Sequence, residues 1–89
     1  MRRLKIPDHI REEIRAYPPD LKRKIRQALD ALKLNPYGKD LEDTLLGYAS
    51  VRVGRFRIIH RVTESGIEIV AVGSRETIYQ EAARLLRKG

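Results

Sequence analysis

Apolar residues near the start of the chain recur at the spacing of a helix. Ile10, Ile14 and Tyr17 are separated by four and three positions, which predicts a short helix that buries one face. Asp8 precedes this stripe and is expected to act as the N-cap. Pro18-Pro19 is expected to end the helix, because a proline ring clashes with the preceding turn.

A second apolar stripe predicts a longer helix directly after the proline pair. Its members are Leu21, Ile25, Ala28, Leu29 and Leu32. The sequence Asn35-Pro36-Tyr37-Gly38 is expected to stop this helix. Because only a short proline-containing segment separates the two stripes, we expect two antiparallel helices joined by a tight turn.

The period changes from helical to alternating after a linker that we place from Lys39 to Gly47. Val51 and Val53 lie on one face of a predicted strand and Arg52 lies on the other, and Gly54 then marks a turn. A second predicted strand alternates Phe56, Ile58, His60 and Val62 with Arg57, Ile59 and Arg61.

A third predicted strand follows a hairpin connection at Glu64-Ser65-Gly66. It runs from Ile67 to Val72 and is apolar on both faces, so we place it in the middle of the sheet. Ser74 is expected to cap a final helix. The apolar stripe of that helix is Ile78, Ala82, Leu85 and Leu86. A further short strand is predicted around Leu4 to Ile6.

This order of elements predicts an α+β fold. A small antiparallel sheet carries the N-terminal helical hairpin on one face and is followed by a C-terminal helix. We expect residues 1–89 to form a single domain, because 89 residues leave no room for a second hydrophobic core.

The charge of the chain indicates an anionic partner. Lys and Arg number 19 against 12 Asp and Glu, which gives a formal net charge of +7. The window from Thr44 to Thr63 contains Arg52, Arg55, Arg57 and Arg61 and no Asp or Glu. Because arginines clustered without carboxylates raise a positive potential, we expect something anionic to neutralise them.

The composition also excludes several kinds of chemistry. The chain has no Cys, so it has no disulfides and no thiolate nucleophile or metal ligand. No apolar run approaches the length of a membrane span and no metal-ligand motif is present, so we expect a cytoplasmic protein without metal or cofactor. His60 shares a face with Phe56 and Ile58, and a core-packed imidazole is favoured over a tuned general base.

The arginines between the apolar positions are expected to share the sheet face turned away from the helices. By the period of two, Arg52, Arg57 and Arg61 lie on that face. Arg75 and Tyr79 follow the last strand at a helical spacing of four. Such a surface binds a phosphodiester and stabilises charge on phosphorus, but it lacks a base. On charge and spacing alone, nucleic-acid binding is favoured over catalysis.

Two segments resemble signatures of the RelE/ParE superfamily of bacterial and archaeal toxins. Residues 51–60, Val-Arg-Val-Gly-Arg-Phe-Arg-Ile-Ile-His, are similar to a strand ending in R-x-G that is followed by an aromatic-Arg pair and an apolar run. Residues 72–79, Val-Gly-Ser-Arg-Glu-Thr-Ile-Tyr, are similar to a G-x-R-x-x-x-Y segment. The helical hairpin with Leu-x-x-Asn-Pro at its end also fits, so the resemblance covers nearly the whole chain.

The resemblance implies a ribosome-dependent, metal-independent mRNA endoribonuclease that a cognate antitoxin holds inactive. RelE-type toxins direct the ribose 2′-OH against the adjacent phosphate and leave a 2′,3′-cyclic phosphate. The positions that match the family motifs imply the following roles. Arg57 and Arg75 stabilise the phosphorane and assist the leaving oxygen, and Tyr79 orients or stacks on the substrate. Arg52 occupies a basic position on the preceding strand. Arg55 and Arg61 are expected to bind nucleic acid.

The sequence departs from the family pattern at two positions. Ser50 stands where RelE-like chains often carry a second basic residue, and His60 stands where the family usually has Tyr. These departures leave open which group activates the 2′-OH. His60 and a solvent proton acceptor are the candidates that replace the missing residue. They also leave open whether Arg57 and Tyr79 serve the fold alone.

Two other functions therefore compete with the mRNA endoribonuclease. One is a ParE-like inhibitor of DNA gyrase without nuclease activity. The other is a non-catalytic basic module that only binds the phosphates of a nucleic acid. The expected partners are an antitoxin, the ribosome and mRNA. We expect an acidic or amphipathic antitoxin segment to bind the last helix, from Ile78 to Leu86, and the helical hairpin.

Overall fold

The computed structural model describes residues 3–35, 44–45, 48–74, 78 and 84. Two helices, α1 (Asp8–Arg15) and α2 (Pro19–Leu34), pack on one sheet. Its strands are β1 (Leu4–Lys5), β2 (Thr44–Leu45), β3 (Tyr48–Val53), β4 (Phe56–Thr63) and β5 (Gly66–Ser74). The strand order is β1-β5-β4-β3-β2. The predicted α+β fold is confirmed, with one addition: β1 pairs with β5 in parallel, whereas the other three pairings are antiparallel.

The helical hairpin forms as predicted, and its proline pair affects both helices. Helix α1 already ends at Arg15, before the proline pair. Pro18 is the N-cap of α2 and Pro19 its first residue, where the missing N–H costs nothing because that donor has no partner within a helix. Pro18 also follows the C-cap Ala16 by two residues, where a proline prevents a helix from continuing, so the proline pair separates the two helices as predicted and begins α2 as well.

The predicted N-cap of α1 is wrong. Pro7 occupies that position, and Asp8 is already the first helical residue. The carbonyl oxygen of Pro7 accepts hydrogen bonds from the N–H groups of Ile10 and Arg11, at 3.0 and 3.1 Å. Asp8 remains favourable in the first turn, where its negative charge faces the positive end of the helix dipole.

The main core lies between the two helices and one face of the sheet. The buried residues of this cluster are Ile10, Ile14, Ile25, Leu29, Leu32, Val53, Ile58, Ile67, Ile69 and Val72. They include the buried residues of both predicted helical stripes. Tyr17 packs on the edge of this core, with its ring 5.2 Å from that of Phe56. β5, which was predicted in the middle of the sheet, is an inner strand with β1 on one side and β4 on the other, whereas the middle of the five strands is β4.

A smaller apolar cluster lies on the other face of the sheet. It consists of the buried residues Ile59, Ala71 and Ile78, with Tyr48 and Val70 packed against it. An irregularity in the β4–β5 register places Ile59 opposite Ala71 and His60 opposite Ile69, so Val70 is an extra residue in β5. This face therefore has an apolar centre around Ile59, the residue that the alternation of β4 placed between Arg57 and Arg61.

Two segments of the chain lie partly outside the described residues. Of the predicted final helix, the structure describes Ile78, which is helical and fully buried, and Arg84, which is exposed. The predicted linker, from Lys39 to Gly47, contains the short strand β2, which pairs with β3. A strand of two residues is too short to show an alternating pattern in the sequence. Within the described residues, neither helix is long and apolar enough to cross a membrane.

Candidate nucleic-acid interface

The sheet face turned away from the helices, which we call the outer face, is organised in rows across the strands. Val51, Val53 and Ile58 pack toward the helices, so by alternation Arg52 and Arg57 belong to the outer face. Three rows can be followed from the strand pairings. The first contains Arg52, Arg57 and Gly73; the second Ser50, Ile59 and Ala71; the third Arg61, Glu68 and Lys5.

The first row brings two predicted site residues together. Arg52 and Arg57 are direct cross-strand partners in the β3–β4 pair. Arg52 is exposed, whereas Arg57 is only 3% exposed. The strand register therefore brings two arginines of the outer face next to each other. We call these two residues the arginine pair.

The burial of Arg57 bears on its role. A side chain that is 3% exposed offers little surface to a substrate, which favours the interpretation that Arg57 holds the sheet together. Its charge nevertheless acts on the surface above it, because a buried charge is screened by solvent and salt much less than an exposed one. The pair thus combines a fixed cation beneath the surface with an exposed cation that can reach a ligand.

The structure does not bring Arg61 to the arginine pair. Arg61 lies in the third row, and the apolar row of Ile59 and Ala71, which contacts Ile78, separates it from Arg57. Its Nη2 donates to Glu68 Oε1 at 3.0 Å, and its guanidinium carbon lies 5.3 Å from the centroid of the Tyr48 ring. Much of the positive charge of Arg61 is therefore already balanced by Glu68.

The carboxylate partner of Arg61 could have been found in the sequence. The β4–β5 turn leaves Thr63 opposite Gly66, so counting back two positions on β4 and forward two on β5 pairs Arg61 with Glu68. Tyr48, whose ring contacts Arg61, was not singled out by the sequence. The signal was its position four residues before Arg52, which places both side chains on the same face of β3.

The remaining predicted site residues fall into two groups. Arg55 is exposed in the Gly54–Arg55 turn at the tip of the β3–β4 hairpin. Gly54 has a φ of +61° there, a conformation that glycine adopts at no steric cost. Arg75 and Tyr79 lie outside the described residues, on either side of the buried Ile78, and their roles stay predictions.

The two residues that depart from the family pattern are both fully buried. His60 lies opposite Ala49 and Ile69, on the face that packs against the helices, which confirms the prediction of a core-packed imidazole. It cannot contact a ligand on the outer face, so the idea that His60 assists catalysis there is wrong. Ser50 lies opposite Ile59 and presents no surface to a ligand.

The comparisons with known proteins agree on the fold. The sequence model for the ParE toxin of the type II toxin–antitoxin system parDE matches residues 2–79. No curated protein matches the chain. Among solved structures, the isolated RelE toxin of E. coli has 14% identity and a TM-score of 0.71, covering 97% of this chain and 99% of that chain.

Two toxin–antitoxin complexes also contain similar chains. The archaeal RelE–RelB complex from Pyrococcus horikoshii OT3 matches with 19% identity and a TM-score of 0.69, covering 83% of this chain and 94% of that chain. The RelBE2 complex from Mycobacterium tuberculosis matches with 25% identity and a TM-score of 0.64, covering 81% and 95%. The family match spans most of the sequence and the fold agrees with it. The chain belongs to the ParE toxin family of type II toxin–antitoxin systems, within the RelE/ParE superfamily.

Proposed function

We propose that this toxin is a ribosome-dependent mRNA endoribonuclease that needs no metal ion. The observation that carries the proposal is the arginine pair, Arg52 directly opposite Arg57 on the outer face. The likeness to RelE structures supports the fold on which such a pair is displayed. A cationic pair on an open sheet suits a polymer of phosphodiesters better than a small molecule enclosed in a pocket.

The proposed reaction is an intramolecular transesterification of the RNA. The 2′-oxygen of one ribose attacks the adjacent phosphorus and the bond to the 5′-oxygen of the next nucleotide breaks. The 5′-oxygen takes up a proton from solvent, so a 2′,3′-cyclic phosphate and a 5′-hydroxyl result. Arg52 contacts the phosphate oxygens, and the buried charge of Arg57 adds to the positive field at the same place. Arg75 assists the leaving oxygen, and Tyr79 orients the substrate. Removing one such donor costs about 10²–10³ in rate.

The described part of the outer face offers no general base beside the arginine pair. Ser50 and His60 are fully buried, and the carboxylate of Glu68 is bound to Arg61 in another row. In the proposed mechanism a solvent molecule accepts the proton of the 2′-OH, and the ribosome supplies the alignment of the RNA. Positioning of this kind contributes as much to a rate as a dedicated base does.

A cognate antitoxin is part of the proposal. Several of the similar structures are complexes of a toxin with an antitoxin. An acidic segment that covers Arg52 on the outer face would neutralise the charge that binds RNA. The notion that the antitoxin binds the last helix and the helical hairpin remains part of this proposal.

The competing function is inhibition of DNA gyrase without cleavage of RNA. Two observations favour it. The matching family model is that of ParE toxins, and Ser50, which replaces a basic residue of RelE-like chains, is buried in this chain. Both functions use the same fold, so an activity assay must separate them.

The test combines primer extension on an mRNA translated in vitro with a gyrase supercoiling assay. The purified chain is compared with Arg52→Gln, Arg75→Ala and Tyr79→Phe. Arg23→Gln is the control, because it removes an exposed arginine on α2 that pairs with Asp20 at 3.4 Å, far from the outer face. We expect new cuts that require the ribosome, that persist in Arg23→Gln and that fall about 10²-fold in Arg52→Gln.

Other outcomes contradict the proposal in distinct ways. Intact mRNA together with blocked supercoiling would assign the chain to gyrase inhibition. Cuts that persist unchanged in Arg52→Gln would show that the arginine pair is not the site. The absence of both effects would remove both functions and leave a basic nucleic-acid-binding module.

A further inference from the structure

A second cluster of cations lines a groove between the two helices. The groove has a volume of about 220 Å³, and four basic side chains line it: Arg11 and Arg15 from α1 and Lys22 and Arg26 from α2. Among the described residues, no carboxylate lines it together with them. We call it the hairpin groove. It lies on the helical side of the sheet, whereas the arginine pair lies on the outer face.

The acidic residues of the helices leave the hairpin groove largely uncompensated. Asp20 and Asp30 pair with Arg23 and Lys33, which do not line the groove. Glu12 reaches Arg15 at 3.7 Å, with both side chains 73% exposed, and such a surface pair contributes little. In the described part of the chain, Arg11, Lys22 and Arg26 have no ion pair.

The groove is suited to a charged ligand more than to an apolar one. Ile14 and Leu29 form its floor, but they are only 9% and 6% exposed because they already pack in the main core. Ile6, which is half-buried, also lines the groove, so its apolar lining consists of three residues that belong to the main core or to its edge. The side chain of Arg11 is held at the groove, since its Nε donates to the carbonyl oxygen of Ile6 at 3.3 Å. Three of the four cations are arginines, whose planar fork matches phosphate oxygens.

We propose that the hairpin groove binds the phosphodiester backbone of a nucleic acid. This inference rests on the proposed function, because that function gives the toxin a target that contains nucleic acid. It adds a second surface through which the toxin contacts that target. With cations on the helical side and on the outer face, the toxin contacts nucleic acid from two sides. A protein that contacts a nucleic acid through one surface needs cations on that surface alone.

The experiment measures binding of the purified chain to a fluorescently labelled single-stranded RNA over a series of KCl concentrations. Each phosphate contact with a single strand contributes about 0.7 to the slope of log K against log[KCl]. We expect the double variant Lys22→Gln/Arg26→Gln to lower this slope by about 1.4. The control is Arg23→Gln/Lys24→Gln, which removes the same charge from the same helix outside the groove. It is expected to leave the slope unchanged.

Equal changes in the two double variants, or no change in either, would overturn the proposal. The proposal would also be overturned if binding of a competing polyglutamate peptide depended on Lys22 and Arg26 while RNA binding did not. The groove would then bind an acidic protein segment. Circular dichroism of both variants establishes that they are folded. The assay contains no ribosome, so a changed slope without mRNA cleavage would remove the proposed function alone. An unchanged slope with cleavage intact would remove the groove proposal alone.

Discussion

The arginines of β3 and β4 show how far sequence alone defines a site residue. Alternation predicted that Arg52, Arg57 and Arg61 share a face of the sheet, and the strand register agrees with this. Alternation could not predict that Arg57 is buried, or that Glu68 holds Arg61 at 3.0 Å. Burial and pairing depend on neighbouring strands and on Ile78, which contacts the apolar row between the arginines.

At the residue scale, Gly66 is expected to tolerate substitution less well than Gly54. A Cβ at Gly66 would overlap the carbonyl oxygen of Arg3, which accepts the N–H of Ile67 at 2.7 Å. We expect Gly66→Ala to lower the free energy of unfolding by about 2 kcal/mol or more, because the clash adds to an unfavourable φ of +155°.

Gly54→Ala is the matched control for this prediction. Its φ is +61°, but a Cβ there meets nothing within 4 Å, so only the conformational cost of about 1 kcal/mol applies. Urea unfolding of the two variants measures both values. An equal loss of stability in the two would show that the contact with Arg3 is not what requires glycine at position 66.

At the element scale, strong local patterns predicted the elements well, whereas their ends were decided by the backbone. The apolar stripes located both helices and the alternation located β3 and β4. The N-cap of α1 was predicted wrongly, because the carbonyl group of Pro7 already accepts the first N–H groups and Asp8 was not needed. The extra residue Val70 in β5 was not predicted, since the run from Ile67 to Val72 is apolar throughout and hides a change of register.

The β3–β4 hairpin is expected to be more stable when its pair of like charges is removed. Arg52→Glu places a carboxylate directly opposite Arg57, and a cross-strand pair of opposite charges contributes about 0.2–1 kcal/mol. We expect a rise in Tm of up to several degrees for a domain of this size, together with loss of RNA cleavage. Thermal unfolding and primer extension measure the two effects.

Arg55→Glu is the control for the charge reversal, because Arg55 lies in the turn and not in the strand pairing. It changes the net charge by the same amount without facing Arg57. A Tm increase as large as that of Arg52→Glu would attribute the effect to net charge and contradict the cross-strand explanation.

At the scale of the whole molecule, the fold class, the basic character and the arginines of the outer face were predictable, whereas the cluster of cations in the hairpin groove was not. The order of the helices and of the main strands follows from periodicity, and the net charge of +7 from counting. Packing of the elements decides which cations come together. It forms a pair on the outer face and a cluster in the hairpin groove. Lys22 and Arg26 belong to a cluster of cations only because α1 lies beside α2 and contributes Arg11 and Arg15.

The charge distribution predicts that multivalent anions stabilise the folded chain. An anion that binds the native state and not the unfolded state raises stability by mass action, and the folded chain holds cations in fixed clusters. We expect phosphate to raise Tm more than chloride at the same ionic strength. The difference should shrink in Arg52→Gln and in Lys22→Gln/Arg26→Gln, and persist in Arg23→Gln. An equal effect of the two anions in the unmodified chain would contradict anion binding.

The parallel pairing of β1 with β5 has a consequence for how the chain is made. Leu4 pairs with Ile67, which follows it by 63 positions, and the backbone of Arg3 is bonded to Ile67 as well. The first strand therefore has no partner while the helices and the β3–β4 hairpin emerge during synthesis. Local pairings of helices and hairpins form quickly, and contacts between distant positions form late. The sheet is completed at its β1 edge only after β5 has been translated, so β1, which is translated before the other described elements, is among the last of them to fold.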